Sequence, residues 1–195
     1  MVNIYCVNSG TTRTFPEGLT LMEMLPSFID GFDTPYPILA AKVNNVMQGL
    51  KYRAFNSRKV EFLDYTSYAG RSVYCNSLCF LLCKAARDIF PECKVVIRRP
   101  ISKGYYCTVD KGDGTELSAA DLEKITSRMH AIVEADIPFR RHEVLIEEAI
   151  ALFRSLGYDD KVKLLETSGD VYVNYYTLED TPDYYYEALL ASTGY

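Results

Sequence analysis

The amino-acid sequence predicts an α+β protein built from two domains, and two features of its pattern lead to this prediction. Over the first 64 residues, short segments that alternate apolar and polar residues are separated by turn signals. After a polar stretch, helical and strand patterns follow one another up to residue 195. The chain is 48% hydrophobic and 24% charged, which is typical of a protein that folds around an apolar core.

Residues 1–64 are predicted to form the first domain, with four strands and one short helix. The helix follows Thr20, whose hydroxyl suits the N-cap because it can accept from free backbone N–H groups of the first turn. Two strands, a helix and then further strands make up the plan of a small β-grasp domain. The predicted strands are Val2–Val7, Thr11–Phe15, Ile38–Val43 and Val60–Leu63.

Residues 65–71 are polar and turn-rich and are predicted to link this domain to a second one, residues 72–195. The second domain opens with a largely apolar helix that starts near Cys75 and is stopped by Pro91. A later helix is capped by Ser118, and its expected core face comprises Leu122, Ile125, Met129, Ile132 and Val133. The other expected elements are strands Cys93–Arg98, Tyr105–Val109, Phe139–Val144 and Val171–Tyr176, and helices Glu147–Leu156 and Asp160–Glu166.

Composition narrows the classes of function. The net charge of −5 argues against a broad nucleic-acid or anionic-membrane surface but leaves room for a local basic patch. No apolar run is long enough to cross a membrane, and the N-terminus lacks the basic start and apolar core of a secretion signal. The six cysteines form no Cys-x-x-Cys pair, so reduced thiols in a cytoplasmic protein are expected.

Three stretches of the first domain resemble the TGS domain, a ubiquitin-like module. They are Leu39–Asn44, the later Leu50 and the closing Val60–Asp64, and they occur in the TGS order. TGS domains precede threonyl-tRNA synthetases and also occur in stringent-response synthetases and some GTPases. The resemblance implies a β-grasp fold for residues 1–64.

The second domain resembles the additional, editing-type domain of threonyl- and alanyl-tRNA synthetases. The stretches that carry this likeness follow in the family's order: Ile89–Pro91, Pro100–Tyr106, Asp121–Ile125, Asp136–Phe139, Glu147–Phe153 and Ser192–Gly194. That family holds a metal with a His-x-x-x-His pair on the first helix and with a cysteine and a histidine near the end.

The metal-binding residues of the family do not carry over to this chain. Counting back from Pro91 puts Asn76 and Phe80 at the helix positions. Counting back from Ser192–Gly194 puts Tyr185 and Leu189 at the other two. Asparagine is a poor zinc ligand and the Phe and Leu side chains cannot ligate a metal, so the chain is predicted to hold no metal and no catalytic residue.

A closer resemblance is to the N-terminal region of bacterial uridine (nucleoside) kinases, whose editing-like domain also lacks the histidine pair. It rests on Asn76–Phe80, the turn Ser102–Cys107 and the aromatic Asp183–Tyr186. The resemblance implies a non-catalytic accessory or regulatory region, followed beyond Tyr195 by a transferase domain that binds ATP and Mg. The chain itself has no Gly-Lys-Ser or Gly-Lys-Thr phosphate loop, so no cofactor is expected within it.

The vacated cleft is predicted to bind a ligand through six residues, and the resemblance supplies their placement around one site. A basic rim would suit a nucleotide or RNA phosphate, and tyrosines would stack on bases. The plainer interpretation is a solvated charged edge with tyrosines that complete the core. The six candidates are Asn76, Phe80, Arg99, Lys103, Tyr105 and Tyr185, with Arg98, Arg140 and Arg141 as further rim cations.

Two other functions compete with the accessory region. One is a free-standing hydrolase that removes mischarged amino acids from tRNA, which the missing ligands disfavour. The other is a pure protein-interaction module. The partners expected are a nucleotide or RNA and a kinase domain in the same polypeptide, with neither membrane nor DNA among them. The ligand, the oligomeric state and the nucleoside used by the parent protein stay open.

Overall fold

The computed structural model describes residues 1–31, 34–102 and 104–195, and the fold is α+β as predicted. Ten strands are described: β1 Val2–Cys6, β2 Thr11–Phe15, β3 Ala40–Val43, β4 Val46–Gly49, β5 Arg58–Leu63, β6 Lys94–Ile101, β7 Gly104–Asp110, β8 Phe139–Leu145, β9 Tyr172–Leu178 and β10 Thr181–Asp183. Five α-helices accompany them: α1 Leu21–Met24, α2 Tyr68–Ile89, α3 Ala119–Glu134, α4 Ile146–Ser155 and α5 Asp159–Glu166.

The first sheet has the order β2-β1-β5-β3-β4, with β1 and β5 parallel and the other pairs antiparallel. The predicted cap of α1 is confirmed: Glu23 N donates to Thr20 Oγ1 at 3.2 Å, and Thr20 N donates to Glu23 Oε2 at 2.7 Å. Strand β4 was not predicted. It forms a tight hairpin with β3 because Asn44 and Asn45 adopt φ angles of 48° and 67°.

Helix α2 begins at Tyr68, inside the stretch predicted to be a linker. Ser67 is its N-cap, and its Oγ accepts from Gly70 N at 3.0 Å. A Cβ at Gly70 would lie 1.9 Å from the carbonyl oxygen of Asp64, so only glycine lets the chain pass so close to the helix start. The prediction started the helix later because it did not use the capping signal of Ser67.

Helix α3 runs beside α2 and begins at Ser118 as predicted, but one of its expected core residues is wrong. Leu122 is 51% exposed, whereas Ile125 and Ile132 are buried. The inward position of the first turn belongs to Asp121, which accepts from the Lys111 ammonium at 3.1 Å and from Ser118 Oγ at 2.8 Å. A paired carboxylate therefore takes the place expected for a leucine.

The second half holds two further sheets, the hairpin β6–β7 and the antiparallel sheet β10-β9-β8. One face of the three-stranded sheet packs on α2, and the other packs on α4 and α5. Leu39 and Ala40 of the first half are buried in the same apolar cluster as α2. The two halves therefore share apolar contacts. Across the described residues, no helix is long and apolar enough to span a membrane.

Candidate functional site

The position of Phe80, where the resemblance expects a metal ligand, lies in the interior of the protein. The Phe80 side chain is 0% exposed. Its ring centroid lies 5.8 Å from that of Phe139 on β8 and 5.5 Å from that of Tyr185. These three rings are called the aromatic cluster below. They occupy the region between α2 and the three-stranded sheet with apolar contacts instead of metal-binding atoms.

Two further observations show the apolar character of the aromatic cluster. Leu189, at another of the expected ligand positions, is 2% exposed. Burial raises the pKa of the Tyr185 phenol far above its usual range, and the nearby Asp183 carboxylate raises it further. Tyr185 therefore keeps its phenol proton in this apolar surrounding at physiological pH.

Asn76, one turn before Phe80, ties α2 to the C-terminal segment. Its Nδ2 donates to Glu187 Oε2 at 3.3 Å, and Ser72 Oγ donates to the same oxygen at 2.6 Å. The structure therefore places Asn76 beside the segment that carries Tyr185, as the resemblance implied. Its amide acts as a structural donor to a carboxylate.

The cysteines of α2 are free thiols, and those deepest in the helix are held protonated. Burial raises the pKa of Cys79 to about 11 and that of Cys83 to about 12. All six cysteines of the chain are unpaired. Within residues 1–31, 34–102 and 104–195, no group of three or more His, Cys, Asp or Glu side chains is arranged to hold a metal ion. The absence of zinc from the purified protein stays a prediction.

The remaining candidates belong to the hairpin β6–β7. Arg99 is exposed on β6, and Lys103 lies outside the described residues. Tyr105 is 48% exposed and its phenol hydrogen-bonds with Cys75 on α2, which helps to raise its pKa, although burial is the larger cause. Tyr105 thus contacts α2 at Cys75, five residues before Phe80. The participation of Arg99 and Lys103 in one site stays a prediction.

The structure places Arg140 and Arg141 away from the hairpin, in a groove between the two halves of the molecule. Both belong to β8, and Lys51 reaches them from the loop after β4. Lys51 was missed as a functional residue because its approach depends on how the halves pack. The only sequence signal for the groove was the pair of adjacent arginines on a strand. This surface, with a volume of about 320 Å³, is called the cationic groove below.

Comparison with known proteins relates the whole chain to part of a longer enzyme. No family model matches it. It is 30% identical over 189 residues to the threonine–tRNA ligase of Desulforamulus reducens. The aligned region covers 96% of this chain and 29% of the ligase. It is 32% identical over 186 residues to that of Symbiobacterium thermophilum, covering 95% of this chain and 28% of the ligase. A third similar ligase, from a Geobacter species, is 28% identical over 186 residues.

The chain therefore spans less than a third of the length of the curated relatives that it matches. Its homologues are threonine–tRNA ligases, in agreement with the resemblance drawn from the sequence. This part of the prediction is confirmed. The kinase parent that the sequence also suggested stays a prediction.

Proposed function

We propose that this chain is a non-catalytic relative of the editing region of threonine–tRNA ligases. The buried Phe80 carries the proposal, because its ring is packed between Phe139 and Tyr185 where the family's ligand would stand. A metal-activated water needs an open coordination site with nitrogen, sulfur or oxygen ligands. The buried Phe80 and Leu189 side chains supply neither.

The two-domain organisation belongs to the same proposal. Residues 1–64 are a TGS-type β-grasp domain, residues 65–71 include the connection, and residues 72–195 are the editing-like domain. The mixed five-stranded sheet with one short capped helix supports the β-grasp assignment. The shared apolar contacts of Leu39 and Ala40 support direct packing of the two domains on each other.

In the proposed parent protein this region accompanies an ATP- and Mg-dependent uridine kinase in the cytoplasm. The support is the resemblance of Asn76–Phe80, Ser102–Cys107 and Asp183–Tyr186 to such kinases. The region's role would be to bind a nucleotide, RNA or protein partner and to bias the kinase. We expect the full-length polypeptide to phosphorylate uridine. We expect this chain alone to show no such activity. A full-length protein that phosphorylates no nucleoside contradicts the kinase parent.

The competing function, hydrolysis of mischarged tRNA, makes the opposite prediction for one experiment. Purified chain is analysed for bound metal and incubated with mischarged aminoacyl-tRNA, beside an active threonine–tRNA ligase as the positive control. We expect no stoichiometric metal and no hydrolysis above the buffer rate. One metal ion per chain together with turnover would overturn the proposal.

A further inference from the structure

The cationic groove is an opening between the two halves that is lined by three positively charged side chains. It lies between the β4 region and the edge strand β8, and the C-terminal segment forms part of its wall. The residues that line it are Gln48, Gly49, Leu50, Lys51, Tyr52, Phe139, Arg140, Arg141, Tyr176, Leu189, Leu190 and Ala191. Its volume of about 320 Å³ falls within the range of roughly 300–1,000 Å³ that small-molecule sites occupy.

Arg141 is positioned by neutral side chains. Its Nε donates to Asn174 Oδ1 at 2.8 Å, and its Nη1 donates to Gln48 Oε1 at 3.3 Å. A guanidinium has five N–H donors, so these two bonds fix its orientation and leave three donors for a ligand. Among the described residues, no carboxylate forms an ion pair with Arg141. The positive charge is thus held in place without being neutralised.

Lys51 and Arg140 add charge at one end of the groove. Lys51 Nζ donates to the carbonyl oxygen of Phe139 at 3.5 Å, which brings it to the free edge of β8. Burial lowers the pKa of Lys51, and repulsion from Arg140 lowers it further, while Asp136 acts in the opposite direction. An anion placed between the two cations relieves that repulsion.

The two carboxylates nearest the groove, Asp136 and Glu187, already have hydrogen-bond partners outside it. Asp136 accepts from the backbone N–H of Gly194 at 3.0 Å. Glu187, in the adjoining cavity, already accepts from Ser72 and Asn76. Both are therefore engaged with the C-terminal segment or with α2.

The rest of the groove is suited to an aromatic group. Leu50, Leu189 and Tyr176 are buried side chains that back its wall, and the half-buried Tyr52 adds aromatic surface. The adjoining cavity of about 500 Å³ shares Gln48, Arg141 and Tyr176 with the groove. A ligand with a flat apolar part and a phosphate would match both properties, since arginine forms paired hydrogen bonds with phosphate oxygens.

We propose that the cationic groove binds a nucleoside phosphate, with Arg141 and Lys51 on the phosphate and the base on the apolar wall; Arg140, which leaves the opposite face of β8 from Arg141, adds charge at the rim. This inference deepens the accessory function proposed above and rests on it. It assigns ligand binding to the junction between the halves instead of the vacated cleft. A free mononucleotide and the terminal nucleotide of an RNA strand share this chemistry.

The test is calorimetric titration of the full chain with uridine monophosphate, adenosine monophosphate, uridine, inorganic phosphate and a short single-stranded RNA. We expect a mononucleotide or the RNA to bind at least tenfold more tightly than uridine or phosphate alone. If the RNA binds and the mononucleotides do not, the ligand is the terminal nucleotide of an RNA strand. If the mononucleotides bind and the RNA does not, the ligand is a free nucleotide. Uridine that binds as tightly as its monophosphate overturns the proposal, as does the absence of any binding at millimolar concentration.

Substitutions locate the site. Arg141→Gln and Lys51→Gln each remove one charge from the groove and should weaken binding about tenfold or more. Lys163→Gln removes the same charge from the exposed side of α5 and should change the affinity by less than about twofold. Equal affinities of Arg141→Gln and wild type, with both folded by circular dichroism, overturn the proposal. Metal content and tRNA hydrolysis, measured on the same wild-type sample, report separately on the non-catalytic function.

Discussion

The aromatic cluster and the cationic groove lie on two sides of Phe139 and have opposite chemistry. The Phe139 ring contacts Phe80 in a closed apolar interior, whereas its backbone oxygen accepts from Lys51 at the edge of an open groove. The cluster occupies positions where the resemblance led us to expect metal ligands, and the only sequence signal for the groove was a pair of adjacent arginines. This contrast predicts that substitutions in the aromatic cluster change the free energy of unfolding. Substitutions in the cationic groove should instead change the affinity for a ligand.

The largest effect is expected from Phe80→Ala. Removal of a fully buried phenyl ring leaves a cavity between α2 and the sheet, which costs about 3–5 kcal/mol in the free energy of unfolding. Urea denaturation of variant and wild type measures the loss. Phe55→Ala is the matched control, because Phe55 is 61% exposed and its removal should cost far less. Equal losses for the two variants would show that the aromatic cluster does not form.

The closed interior also predicts a dependence of stability on pH in the alkaline range. The folded-state pKa of Cys83 is about 12 against a usual value of 9.0, so the folded protein keeps a proton that the unfolded chain releases. This contribution is complete below pH 9 and is lost as the pH rises toward 12. Between these limits it amounts to at most about 1.4 kcal/mol per pH unit.

The measurement is the free energy of unfolding of wild type and Cys83→Ala at several pH values from 9 upward, where the unfolded thiol ionises. The variant should lose stability less steeply with pH, because it has no thiol to ionise. Leu81→Ala is the control, since it removes buried apolar surface from the same helix without changing a titrating group. If Cys83→Ala and wild type fall with the same slope, the thiol is not buried as described.

A smaller effect is expected at the start of the helix that carries the aromatic cluster. Ser67→Ala removes the acceptor for Gly70 N and should cost about 1 kcal/mol in the free energy of unfolding. Ser9→Ala is the comparison, because Ser9 lies in an exposed turn and caps no helix. An unchanged stability of Ser67→Ala would place the true start of α2 later, inside the second domain as the sequence first suggested.

Local signals account for most of what the sequence predicted correctly. Thr20 and Ser118 cap their helices as expected, because capping depends on residues only three positions apart. The sequence pattern gave wrong predictions where a residue outside the element determines which side chain is buried or which segment forms a strand. Asp121 is buried in place of Leu122 because Lys111, on another element, neutralises it. Strand β4 was not predicted because its extended conformation depends on its pairing with β3.

For the candidate sites, too, the sequence indicated some residues and missed others whose position depends on how the two halves pack. The likeness to a known family singled out Asn76, Phe80 and Tyr185. The structure packs the Phe80 ring on the Tyr185 ring and joins Asn76 to Glu187, and the role of these residues in ligand binding stays a prediction. It could not reveal that Lys51, far earlier in the chain, approaches Arg140, since this contact exists only after the two halves pack. The boundary between the halves also stays a prediction.

The smallest effect on stability, and the sharpest contrast with Phe80, is expected for Arg141→Gln. Arg141 is exposed and its recorded partners are neutral amides, so the variant should stay within about 0.5 kcal/mol of wild type in the free energy of unfolding. Its nucleotide affinity should nevertheless fall, and the remaining affinity should depend less on salt because fewer cations meet the phosphate. Denaturation and calorimetry at two salt concentrations measure both quantities on one preparation. Arg141→Lys, which keeps the charge but loses the fixed planar donors, should be intermediate in affinity. A large loss of stability in Arg141→Gln would mean that Arg141 holds the two halves together, and the groove would then be a structural joint and not a ligand site.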